Sequence, residues 1–367
     1  MLKDQKEIKA LTSIRGIAAM LVMVYHFHPF DNASDGYVAT FISKSYLWVD
    51  LFFVLSGFVM AMTYYNMFSV QYSWDKHKEF LLRRLARIYP LYAFVTIVVS
   101  LYSLIIYRGY ANVHRPAVHL EHPVIANITN LLMVQAWGFG ESIGGPTWSI
   151  STEWAAYILF PFLMYLTIFS RRWGAFLVAG LAAAALLYIA STPETGQENR
   201  NGPLDVYHGF DGLLILRCLS GFCFGLLTFR VAKLSERTPL VYTDWFGFCI
   251  ILMLVGAMAC GVDDLRMYPL FPFLVLALYG NRGVVSRLFS ARVPYTLGIL
   301  SYSIYLLHFH FAVLSDQLRK HLELHLSHAA AVFIAISATC LLVVGCSLLS
   351  YNFIEMPGRK WLRKISG

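Results

Sequence analysis

Tyr46 to Asn66 reads YLWVDLFFVLSGFVMAMTYYN, an apolar run whose one carboxylate is Asp50. At 1.5 Å per residue a helix of about 20 residues covers the roughly 30 Å hydrocarbon core of a bilayer. The reading of this stretch as a membrane span decides the fold, and similar windows recur on both sides of it. Together they place ten spans at about 10–29, 46–66, 87–107, 147–169, 174–190, 211–231, 245–262, 268–281, 295–314 and 329–353. The eighth is short and carries Pro269 and Pro272. A further segment, Ile125 to Phe139, is interrupted by Asn127, Asn130 and Gln135 and is predicted to be re-entrant or interfacial on the outer side. The start, Lys3 to Lys9 before an apolar run, imitates a signal peptide, but the run carries Arg15 and His26 and no small-residue cleavage pattern follows. It is read as a retained first span.

Composition agrees. Of 367 residues, 58% are hydrophobic and 14% charged, against about a quarter charged in a soluble domain. The expected fold is therefore all-α: a polytopic membrane helical bundle of about ten transmembrane helices, with residues 1–367 forming a single domain. The net charge of +8 is carried in short basic runs between apolar segments, which points to membrane topology and not to nucleic acid. With the N-terminus inside, 21 of the 29 Lys and Arg fall on the inner side, seven on the outer, and Arg217 within a span. Both termini are thus predicted cytoplasmic, in an inner membrane. The six cysteines lie in or beside apolar stretches without CxxC spacing and read as packing residues, so neither a disulfide framework nor a metal is expected. His114, His119, Glu121 and His122 are read as a solvated outer loop. The polar stretch Ser191 to Gly209 is read as a flexible outer loop near an acceptor.

Ionisable residues inside spans are costly and are functional candidates by default. Arg15 and His26 share the first span, 11 residues and about 16 Å apart, close to three turns, so both face one way. Asp50, Glu153 and His308 lie near the outer ends of three other spans, at a depth similar to His26, which predicts a shared polar cavity. Arg83, Arg84 and Arg87 open the third span just below Arg15. Arginine binds phosphate bidentately, so the cluster suits a nucleotide-like anion as well as a topology anchor.

Six stretches then carry a resemblance. Leu11-Thr12-Ser13-Ile14-Arg15-Gly16 through Tyr25-His26-Phe27, Val49 to Gly57 (VDLFFVLSG), Arg84-Leu85-Ala86-Arg87-Ile88-Tyr89-Pro90, Thr147 to Glu153 (TWSISTE), Gly298 to His308 (GILSYSIYLLH) and Glu355-Met356-Pro357 together resemble the acyltransferase-3 family. The resemblance covers essentially the whole chain. It implies transfer of an acyl group, acetyl in the first instance, from cytoplasmic acyl-CoA to a hydroxyl of a cell-surface polysaccharide, lipopolysaccharide or other envelope glycan, or of a small molecule. Arg15, Arg84 and Arg87 are implied at the CoA end and His26 in acyl transfer, and no appended SGNH-type domain is expected.

The expected mechanism has His26 as general base, with Asp50 or Glu153 fixing its tautomer. A covalent route through Ser149 or Ser56 stays open. Arg217 is expected either to steady the oxyanion or to pair with Glu153 or Asp211. Trp148, Ser149, Arg217, Tyr302 and His308 are the expected substrate contacts. The competing reading is a transporter or flippase, but the inverted repeats expected of one are not evident in the sequence.

Overall fold

The computed structural model describes residues 7–29, 36–69, 72–109, 122–192, 200–207, 212–234, 239–280 and 282–365. Among them there is no strand; the fold is a bundle of helices. Each of the ten apolar windows carries one: α1 Lys9–His26, α2 Trp48–Phe68, α3 Trp74–Gly109, α4 Trp148–Met164, α5 Arg172–Ser191, α6 Leu213–Leu234, α7 Asp244–Ala259, α8 Leu270–Gly280, α9 Arg292–Leu307 and α10 His328–Ser350. Shorter helices lie between and after them, and one, α11 Met356–Ile365, follows a wide turn at Tyr351–Glu355.

Seven stretches among the described residues are long and apolar enough to cross a membrane; they contain α2, α4, α5, α6, α9 and α10 and the first 29 residues of α3. The other three of the ten fall short for different reasons. In α1, Lys9, Arg15 and His26 share 18 residues. α7 is apolar but only 16 residues long, and α8 only 11.

Two helix pairs dominate the packing, α1 with α9 and α2 with α6. Both are made possible by missing side chains. A Cβ on Gly16 would run into the backbone of Gly298, and one on Gly298 into the carbonyl of Thr12. Likewise a Cβ on Gly57 would strike the carbonyl of Phe222, and one on Gly225 that of Val54. In lipid, where no hydrophobic drive brings helices together, such close backbone approach is a main source of association through dispersion contacts. Gly221 and Gly225, four apart on α6, provide this surface against α2. The core between these pairs is aromatic, with Phe58, Phe80, Phe160 and Phe222 fully buried.

The interrupted window at 125–139 contains only a nine-residue helix, Pro123–Leu131, after which the chain folds back onto the start of α4. Two of the polar residues that break its hydropathy tie it down. The Asn130 amide donates to the carbonyls of Ala126 (2.7 Å) and Glu141 (2.6 Å). Gln135, fully buried, donates to Tyr92 Oη (2.9 Å) and to the Thr147 carbonyl (3.2 Å). A further tie joins the Trp137 indole to the Ser151 carbonyl at 2.9 Å. These bonds satisfy backbone carbonyls and side-chain N–H groups that lipid could not, while Gln135 Oε1 stays buried without a partner.

Candidate active site

The ionisable residues that share a depth in the sequence do not share a cavity in the structure. They form three separate clusters, distributed around the bundle.

The first cluster is an ion pair. Arg217 on α6 and Asp50 on α2 are 1% and 0% exposed. The guanidinium grips the carboxylate with two bonds, Nη2 to Oδ2 at 2.6 Å and Nε to Oδ1 at 3.1 Å. Its Nη1 donates to the Val206 carbonyl at 3.0 Å, and the Trp148 ring lies 5.4 Å from the guanidinium carbon. Every polar face of Arg217 is therefore occupied, and Trp148 is buried as part of its housing. This corrects two expectations. Asp50 does not orient His26, because its oxygens are engaged by Arg217. Arg217 is not bonded to Glu153, its donors being held by Asp50 and the Val206 carbonyl; Asp211, its other expected partner, lies outside the described residues. A second buried pair, Lys44 with Asp264 at 2.8 Å, stands nearby, with Asp264 also accepting from Tyr46 Oη (2.6 Å) and the Leu204 amide (2.9 Å). It pins the described part of the loop read as lying near an acceptor, residues 200–207; residues 193–199 of that loop lie outside the described residues, as do His114, His119 and Glu121.

The second cluster lines a narrow, partly open cavity, about 810 Å³ including the solvent at its mouth, between α1, α2, α3, α4 and α9. Arg15, Arg84 and Arg87 stand along one part of its wall; Ser56, Ser149, Glu153, Tyr302 and Tyr305 also face it. One carboxylate oxygen of Glu153 accepts from Ser56 Oγ at 2.5 Å and from Tyr157 Oη at 2.6 Å. Ser149 Oγ is 2.8 Å from Tyr305 Oη, and Tyr302 Oη donates to the Ile88 carbonyl at 2.6 Å. Glu153 thus belongs with the arginines, and its bonded partners are hydroxyls and not the His26 imidazole.

The three arginines also line a wide vestibule, about 3250 Å³ including the solvent at its mouth. Arg84 is only 6% exposed; its Nη2 donates to Tyr64 Oη at 2.9 Å, while its Nε, buried, has no partner. Arg15 and Arg87 make no hydrogen bond or ion pair among the described residues. Sequence reasoning missed two further arginines of this vestibule, Arg359 and Arg363 on α11. Their spacing of four places both on one helix face, a usable signal, but after the last span it read as an anchor. Gly358 sits against Pro90 of α3, where a side chain would collide, and this contact presses α11 onto the vestibule wall.

The third cluster is a histidine pair. His26, half-buried at the end of α1, places Nδ1 2.9 Å from the Val22 carbonyl and 3.2 Å from Nε2 of the fully buried His308, just past α9. Neither histidine lines the cavity or the vestibule. Tyr305 stands between them and the cavity: it faces the cavity, and its ring centre is 5.7 Å from that of His308. Arg15 and His26 lie on one face of α1, the helix packed on α9: the first lines the same cavity as Ser301 and Tyr302, and the second meets His308.

The chain is similar to the “Peptidoglycan O-acetyltransferase OatA” of Listeria monocytogenes, 23% identical over 419 residues that take in 97% of this chain and 56% of that protein. It is similar in the same measure to the “Putative peptidoglycan O-acetyltransferase YrhL” of Bacillus subtilis, 24% identical over 385 residues, 97% of this chain and 56% of that protein. The chain thus spans about half the length of these curated relatives. No solved structure matches it. The acyltransferase-3 family, described as “Acyltransferase domain”, matches residues 8–351, nearly the whole chain, and the chain belongs to this family.

Proposed function

We propose that the chain transfers an acetyl group from a CoA-linked donor, held at the arginine end, to a hydroxyl of an envelope glycan presented at the histidine end. The observation that carries the reading is the set of arginines without an ion pair, Arg15, Arg84 and Arg87, which line both the wide vestibule and the narrower cavity and outnumber Glu355, the vestibule carboxylate that attracts Arg15 and Arg87 without bonding them. A buried guanidinium nitrogen with no partner, as at Arg84 Nε, is an energetic debt of the free protein that an anionic ligand settles. The phosphates of CoA fit that requirement, and the cavity beyond leads the donor's reactive end towards Tyr305. The basic bias of the loops supports an arginine end and both termini in the cytoplasm of an inner-membrane protein. That the relatives are named for peptidoglycan supports a glycan acceptor on the opposite side.

In the reaction, the acceptor oxygen attacks the thioester carbonyl while His26 Nε2 takes the hydroxyl proton. The carbon–sulfur bond then breaks, and the leaving thiolate takes the proton back from the imidazolium. An imidazole can both accept and return a proton, so one group serves both transfers. Tyr305 stands on the path between the two ends, so its side chain must turn aside for the acyl group to meet His26.

The test is the ester content of the envelope. Cells lacking the protein should lose O-acetyl esters from peptidoglycan. The parent gene should restore them, and His26→Ala, expressed and inserted at the same level, should restore about 1% or less, since a general base is commonly worth about 100- to 10,000-fold. Full restoration by the His26 variant contradicts the assignment.

A further inference from the structure

Resting on the reading of His26 as the base, we propose that His308 is its positioning residue and takes the place that a carboxylate holds in a Ser-His-Asp arrangement. The hydrogen bonds fix the argument. His308 Nδ1 lies 3.2 Å from the Ile304 carbonyl. A carbonyl only accepts, so this nitrogen carries the hydrogen, and in the neutral ring Nε2 keeps its lone pair. That lone pair is the atom 3.2 Å from His26 Nδ1. The other neighbour of His26 Nδ1, the Val22 carbonyl at 2.9 Å, is also an acceptor. With acceptors on both sides, Nδ1 of His26 must be the protonated nitrogen. Its Nε2 is thereby left as a free lone pair, with no hydrogen-bond partner among the described residues. This is the tautomer a general base needs.

Val22 alone would select the tautomer; His308 does more. When His26 Nε2 takes the acceptor's proton, the ring becomes a cation and its Nδ1–H becomes a stronger donor. A second imidazole can share that charge, which a backbone carbonyl cannot. The ring centroids are 5.0 Å apart, and Phe309 (5.6 Å) and Tyr25 (5.0 Å) flank His26 on other sides. No carboxylate among the described residues is bonded to either histidine, so the pair is neutral before the reaction. It returns to neutrality when the proton passes to the leaving thiolate. The immediate neighbours of His308 are chosen for this: Ile304, one helical turn back, holds its Nδ1, and full burial keeps water from its Nε2.

The experiment joins tautomer to kinetics in the full-length protein. Long-range proton–nitrogen NMR on protein labelled with 15N-histidine, with His26 assigned by its loss in His26→Gln, should report His26 protonated at Nδ1. His308→Ala should lower kcat at least about 10- to 100-fold, the range for partners that orient a metal-bound histidine, and less than the roughly 10,000-fold of a triad carboxylate because Val22 still selects the tautomer, with the KM for acetyl-CoA within about twofold. His308→Gln, whose side-chain oxygen can accept the same bond, should recover most of that loss. A His26 protonated at Nε2 in the unmutated protein overturns the proposal, and so do Ala and Gln variants with equal kcat. Should His26→Ala prove active, the base assignment fails, whereas the tautomer measurement still decides the pairing by itself.

Discussion

Two arginine sites in the same bundle make opposite statements. Arg217 is 1% exposed and bonded on all sides, by Asp50, by the Val206 carbonyl and by the face of Trp148. Arg84 is 6% exposed, shares its wall with Arg15 and Arg87, and keeps a buried nitrogen without a partner. Burial is similar and the chemistry of the side chain identical. The difference is satisfaction: a cation whose counter-ion comes from the same chain holds the fold together, and a cation whose partner is missing waits for a ligand.

The comparison breaks first at the fold. Arg217→Gln or Asp50→Asn leaves one buried charge uncompensated, and each should cost about 3–5 kcal/mol of stability. Thermal unfolding in detergent should show the loss, and the double variant should be less destabilised than the two singles added together. A single variant with unchanged melting would mean that Arg217 is not the structural member of the comparison.

Smaller in free energy, but specific to donor, is the effect of Arg84→Gln with Arg87→Gln. Charge-assisted bonds to phosphate are worth about 1.5–3 kcal/mol each, so the KM for acetyl-CoA should rise tenfold or more. Turnover at saturating donor should change little, because the phosphates are remote from the reacting carbonyl. Melting should change little, since the three arginines repel one another while Glu153 and Glu355 on the same walls attract them. The smallest effect belongs to Arg359→Gln with Arg363→Gln. Both lie on the vestibule wall; Arg363 is exposed, where a pair is worth about 0–1 kcal/mol, whereas Arg359 is half-buried with its own Nε unpartnered, so a rise in donor KM of roughly threefold is expected from the pair, the Arg363 share shrinking at high salt.

The helices were legible in the sequence because hydropathy reports them residue by residue; all ten windows carry one. The interrupted window was legible for the same reason, since Asn130 and Gln135 could not face lipid. The site was legible only in part. Distance along a span gives a residue's depth and nothing of its direction around the bundle, so His26, Asp50, Glu153 and His308, similar in depth, read as one cavity. The structure turns them towards three different neighbours. Asp50 meets Arg217, 167 positions away, a pairing set by the glycine contacts of α2 with α6 and invisible to local spacing. Glu153 meets Ser56 and Tyr157, and only His26 and His308 meet each other. Shared direction within a single helix was recoverable, as Arg15 and His26 demonstrate, because the period of 3.6 residues fixes it.

The central claim is that the unpaired arginines hold the donor. Calorimetric titration of CoA into the purified protein tests it without any assay of the acceptor. CoA should bind the parent protein, bind Arg84→Gln/Arg87→Gln at least tenfold more weakly, and bind His26→Ala as tightly as the parent. Equal affinity of the double arginine variant and the parent would contradict the account and leave those arginines as anchors of topology alone.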